Sequence, residues 1–161
     1  MTPRHGVRSV ALALVALLLT AGCSGPLQVD APRLSGADAR VCRALVAALP
    51  ARVSDQDRRE VDTGSGYAAA WGDPAIELRC GVTRPQALDR FASCLVVDGV
   101  GWFIPDSQQQ QSTPVDTTLT TVGRRVYVSV HVPAQYLPTA ATMVDLGAAI
   151  RRTVPDVKPC Q

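Results

Sequence analysis

Ten consecutive apolar residues, positions 10–19, stand between Arg4 and Arg8 on one side and the small pair Ala21-Gly22 on the other. No other feature limits the fold as strongly. The run is half of the ~20 apolar residues a helix needs to cross a bilayer, so it does not read as a transmembrane anchor. A positive n-region, a short hydrophobic stretch and small residues at its end form the pattern of a cleaved export signal. Residues 1–22 are therefore predicted to be lost, and whatever folds is built from residue 23 onwards.

Cys23 directly follows those small residues, as in a bacterial lipobox, with Thr20 where Leu is usual. The chemistry this predicts is a diacylglyceryl thioether on Cys23 and cleavage after Gly22. The expected partner is membrane lipid, with the chain lipid-anchored on the extracytoplasmic face of the cell membrane. Two acyl chains suffice for stable anchoring, which a single chain does not give. Residues 23–34 show no periodicity and read as a lipidated tether, with a fully extended reach of ~40 Å over residues 24–35. Residues 35–161 form one domain, and a chain of this size buries roughly two-thirds of its unfolded surface.

Processing changes the charge balance. The full chain carries 16 Lys+Arg against 14 Asp+Glu, and losing Arg4 and Arg8 leaves 16 − 2 = 14 against 14. A neutral chain lacks the clustered positive charge on which nucleic-acid binding rests, so no nucleic-acid partner is expected. All the basic residues except Lys158 are Arg, which together with abundant Ala and Val fits a high-GC bacterial source. Of the 5 cysteines, Cys23 goes to lipid and Cys42, Cys80, Cys94 and Cys160 remain. An even number in an exported chain reads as two disulfides. Without a C-x-x-C pair, and with His131 the one histidine of the mature chain, neither a metal site nor a cofactor is expected. Three connectivities are open. The favoured one joins Cys80 to Cys94 as a local closure and Cys42 to Cys160, tying the first helix to the tail.

A helix is predicted from Ser35, which stands three residues before Asp38 in a capping-box-like start. Cys42, Leu45, Val46 and Leu49 share one face of it, and Pro50 ends it. Residues 51–66 are polar and rich in Gly and Asp, and read as loop with a short extended piece at 59–63. Strand candidates follow at 67–71, 75–82, 94–97, 100–104, 115–122 and 126–132. The clearest sets Val126, Val128, Val130 and Val132 against Tyr127, Ser129 and His131. Asp98-Gly99 suits a type I′ hairpin. A second helix runs from Thr139 to about residue 152, with Met143, Leu146 and Ile150 inward and Arg151-Arg152 at the end of its dipole that favours cations. The expected fold is α+β: an antiparallel sheet of about five strands, the N- and C-terminal helices packed on one face, and two disulfides.

Little in the chain carries chemistry. Gly64-Ser65-Gly66-Tyr67-Ala68-Ala69 spells G-x-G-x-x-A, but a dinucleotide site needs a hydrophobic strand before it and a helix after it, so a loop is the better reading. His131 as a general base needs a nucleophile within hydrogen-bond reach and an orienting carboxylate. Ser129 shares its face but stands roughly 6–7 Å away along the strand. Asp62, Asp73, Glu77 and Asp98 lie near turns or on solvent faces, unpaired as acid and base. Trp71, before Gly72-Asp73-Pro74, and Trp102, after the hairpin, are the candidate contact residues, because an exposed tryptophan beside a turn commonly serves binding. Packing in a core short of aromatics is the alternative.

One stretch of sequence is distinctive. Cys42-x-x-Leu45, Leu49-Pro50, Arg58-Arg59, residues 69–82 (Ala-Ala-Trp-Gly-Asp-Pro-Ala-Ile-Glu-Leu-Arg-Cys-Gly-Val) and Asp98-Gly99-Val100-x-Trp102 resemble an actinobacterial group of envelope proteins, the domain of unknown function 3515 family. The resemblance covers residues 35–161. It implies an exported, commonly lipidated protein without an established activity, and it transfers no catalytic residue.

The functional expectation is a membrane-anchored lipoprotein that is not an enzyme, an interaction or accessory module with an envelope protein as partner. A small-ligand-binding lipoprotein with a pocket between sheet and helices, near Trp71 or Trp102, is the alternative. A hydrolase using His131 is the third reading.

Overall fold

The structure is a computed structural model and describes residues 25–158. The signal segment 1–22, the lipidation position Cys23 and the bridge candidate Cys160 lie outside the described residues. Along the chain come β1 (Leu27–Gln28), α1 (Gly36–Ala48), β2 (Arg52–Val53), β3 (Gln56–Arg59), β4 (Val61–Asp62), β5 (Ala68–Trp71), β6 (Ile76–Val82), β7 (Leu95–Val97) and β8 (Val100–Phe103). A one-turn helix α2 (Asp106–Gln109), β9 (Thr117–Val122), β10 (Tyr127–Val132), a 3-10 turn (Ala134–Tyr136) and α3 (Ala140–Thr153) complete it.

The main sheet has 8 strands in the order β2-β3-β5-β6-β10-β9-β8-β7, all paired antiparallel. This is the α+β architecture expected, with more strands than the sequence predicts. The extra ones come from the segment read as loop. Ser54 and Asp55 both take positive φ, 48° and 62°, and so make the tight β2–β3 turn without the Asn-Gly pair that announces such turns. Gln56, Asp57, Arg58 and Arg59 show no apolar alternation because β3 stands near the sheet margin with both faces half-wet. The Asp98-Gly99 hairpin forms as expected, both residues at positive φ and Val97 paired with Val100.

Both long helices pack on one face of the sheet. Ala39, Cys42 and Leu45 of α1 and Met143, Leu146 and Ile150 of α3 join Leu78, Val128, Val130 and Val132 in a single apolar cluster. Both helices begin after the expected residues, Ser35 and Thr139, yet neither side chain makes a capping hydrogen bond. Asp38 instead pairs with Arg125 Nε at 2.9 Å, fastening α1 to the β9–β10 turn. Gly147 lets α3 come down on the hairpin: a Cβ there would lie 2.6 Å from Asp98 Oδ2. The Asp98 carboxylate pairs with Arg151 one helical turn further on.

The favoured cysteine pairing is overturned. Cys42 is bonded to Cys80, with Cα atoms 5.5 Å apart. The reason is geometric: Cys42 lies on the inward stripe of α1, Cys80 on the inward register of β6, and α1 packs on β6. Among the described residues this is the one disulfide with both partners in view. Cys94 is not a free thiol.

The expected tether is also docked for most of its length. Leu27–Gln28 runs parallel to Val61–Asp62, and Leu27 and Val29 donate backbone hydrogen bonds to Glu60 and Asp62. Val29 and Ala31 are buried. Leu34 then lies on a bulge in β6, where Tyr127 faces Val82 but Val128 faces Cys80. Gly81 is the extra residue, at φ +82°, and a Cβ there would run into the Leu34 side chain.

Candidate functional site

The two tryptophans are core residues. Trp71 and Trp102 each expose 0% of their surface, which removes them as contact residues. Trp71 donates its indole N–H to Pro50 O at 3.1 Å, with the Arg58 guanidinium over its ring, while Trp102 Nε1 is buried without a partner. Neither lines any of the clefts described below. The expectation failed because period-2 alternation in β5 and β8 does not reveal which strands are flanked by neighbours on both sides and covered on both faces. All four residues of each of these strands are buried.

His131 projects from β10 on the face without helices. Its Nε2 lies 3.6 Å from Asp116 Oδ2, and Glu77 is its cross-strand neighbour on β6. Ser129 stands on the same face opposite Arg79 and Thr120, and no hydrogen bond joins it to His131. Asp116 therefore stands beside the imidazole, and Thr118 is its cross-strand neighbour on β9; no hydrogen bond from Ser129 or Thr118 to His131 is present among the described residues. Glu77 binds Arg79 at 2.6 Å, Asp73 lies 3.5 Å from Arg59, and Asp62 accepts from Gln28 at 3.1 Å, so these carboxylates are engaged structurally. Gly64-Ser65-Gly66 is a turn between β4 and β5, with Thr63 Oγ1 accepting the Ser65 and Gly66 amides, and no helix follows it. No group of three or more His, Cys, Asp or Glu arranged to hold a metal occurs among the described residues.

What the sequence did not announce lies on that same open face. The 83–94 loop crosses it, with Leu88 buried, and between this loop, the β9–β10 turn and the tail opens a cleft of about 470 Å³. Arg84, Arg90, Arg124 and Lys158 line it together with Asp89, over apolar walls that include Leu88, Ala92, Val122 and Val157. The tail is held there by the amides of Val157 and Lys158, both donating to Gly123 O. Arg124 is 9% exposed, and its guanidinium donates to Val154 O at the C-terminus of α3 and to Gly99 O in the hairpin. A cation at a helix C-terminus is favoured by the dipole, which explains why the group is tolerated inside. These basic residues are scattered over 75 positions of sequence, from 84 to 158, so no local pattern marked them. Phe91 (81% exposed), Leu95 and Val96 stand uncovered beside the cleft, at the β7 margin of the sheet.

The fold and this face define a small α+β domain: an antiparallel sheet covered by helices on one side and more open on the other, cross-linked through its core. The chain belongs to the family described as Protein of unknown function (DUF3515), whose pattern matches residues 7–159. Neither a curated protein nor a solved structure matches the chain.

Proposed function

We propose that the chain is a membrane-anchored extracytoplasmic lipoprotein, held by acylated Cys23, that serves the cell envelope as a non-enzymatic interaction or accessory module. The observation carrying the reading is the Cys42–Cys80 bond behind an export signal and lipobox, because such cross-links persist in oxidising compartments. Docking from Leu27 shortens the tether to the four steps from Cys23, ~14 Å fully extended. The domain then rides close to the lipid headgroups rather than ~40 Å above them. The non-enzymatic part rests on His131, which stands beside Asp116 and Glu77 and makes no hydrogen bond to the hydroxyls of Ser129 or Thr118 among the described residues. A partner in the envelope would cover Phe91, Leu95 and Val96, large apolar side chains left in water.

Metabolic labelling with palmitate followed by fractionation tests the anchor. The wild-type chain is expected in the membrane fraction with label, and Cys23→Ser without label. A wild-type chain that takes up no label, or a Cys23→Ser chain labelled as strongly as wild type, overturns the reading.

A further inference from the structure

We propose that the cleft between the 83–94 loop, the β9–β10 turn and the tail binds a small organic anion, a phosphate or carboxylate carrying an apolar group. This goes beyond the anchoring reading and does not depend on it. The argument starts from charge. Arg84, Arg90, Arg124 and Lys158 converge on one concavity against the single carboxylate of Asp89. None of the four forms an ion pair among the described residues, although Arg52, Arg59, Arg79, Arg125 and Arg151 elsewhere all do. Cations that share a concave, partly dry surface repel one another and raise the local potential, so an anion entering there is attracted more strongly than at an open surface.

The side chains are also held in place. Arg84 donates through Nη2 to Leu88 O within its own loop, Arg90 lies 5.0 Å from the centre of the Phe91 ring, and Arg124 is fixed by the Val154 and Gly99 carbonyls. A guanidinium has more N–H donors than these contacts use, and the remainder suits the oxygens of a phosphate or carboxylate. The walls supply the other half of the specificity. Leu88, Ala92, Val122 and Val157 offer apolar surface that inorganic phosphate cannot use and an organic anion can. Lipid headgroups and soluble organic anions share this chemistry.

Phenyl phosphate is the probe, titrated calorimetrically into the full chain reconstituted in phosphatidylcholine vesicles. Saturable binding is expected, with inorganic phosphate weaker. Arg84→Ala is expected to weaken phenyl phosphate about tenfold, the loss of one charge-assisted contact. Lys158→Ala, whose side chain makes no hydrogen bond or ion pair among the described residues, is expected to weaken it about threefold. Weakening in Lys158→Ala supports the site even where Arg84→Ala loosens the loop. Replacing a third of the lipid by phosphatidylglycerol separates the sources: a raised apparent Kd supports a headgroup ligand, and an unchanged Kd supports a soluble one. Absence of saturable binding to the wild-type chain, or wild-type affinity in both variants, overturns the proposal.

Discussion

On the helix-covered face, Val128, Val130 and Val132 of β10 sit in one apolar cluster with Leu45, Leu146 and Ile150. On the other face, Tyr127, Ser129 and His131 of the same strand are only half-buried, next to a loop and a cationic cleft. The two faces differ in what covers them. Helices with apolar stripes exclude water along their whole length, so the first face carries the folding free energy. The 83–94 loop has no regular secondary structure and covers only part of the second face, which leaves clefts and charges accessible. On β10 stability and availability are thus assigned to opposite sides of one strand, while on β8 Phe103 is buried on the second face as well.

Substitutions can break or sharpen that contrast. The largest effect is expected for Trp71→Ala, which empties a fully buried site and orphans Pro50 O. A loss of up to about 5 kcal/mol in urea unfolding follows, and a loss below about 1 kcal/mol would mean the helix-covered face is not the packed one. Next comes the cross-link between the helix and the sheet. Cys42 and Cys80 are 38 residues apart in sequence, so loop entropy gives about 4 kcal/mol lost in the Cys42→Ala/Cys80→Ala double variant, readable as a lowered denaturation midpoint. Gly147→Ala should cost about 1–3 kcal/mol, because the new Cβ meets Asp98 and pushes the hairpin away from α3. At the small end, Phe91→Ala and His131→Ala on the open face should each stay within about 0.5 kcal/mol of wild type. If Phe91→Ala proved as costly as Trp71→Ala, the exposure of Phe91 and the burial of Trp71 would not account for their contributions.

Much of the helix-covered face was legible. The alternation of Val128, Val130 and Val132, the stripe Met143, Leu146 and Ile150, and the Asp98-Gly99 turn all report local preferences that the tertiary structure keeps. The tryptophans were legible as strand residues but not as buried ones, since burial depends on strand order and on what covers each face, and β5 pairs with β3 and β6 at once. Strands β2 and β3 were hidden because their turn uses Ser54 and Asp55 and most of their residues are polar or charged, whereas β4 falls within the extended piece expected at 59–63. The candidate cleft was not legible at all: Arg84, Arg124 and Lys158 meet only because a loop, a turn and a tail fold onto one corner.

The sequence alone settled the class of fold, an α+β domain, and the inward residues of its long strands and helices, because period and turn chemistry act over a few neighbouring residues. Which cysteines bond, which aromatics are dry, how far the N-terminal segment is docked and where unpaired cations gather were decided by the tertiary structure. Those outcomes depend on contacts between segments tens of residues apart, such as Cys42 with Cys80 and Leu27 with Val61. Such contacts exist only after the helices have chosen a face of the sheet.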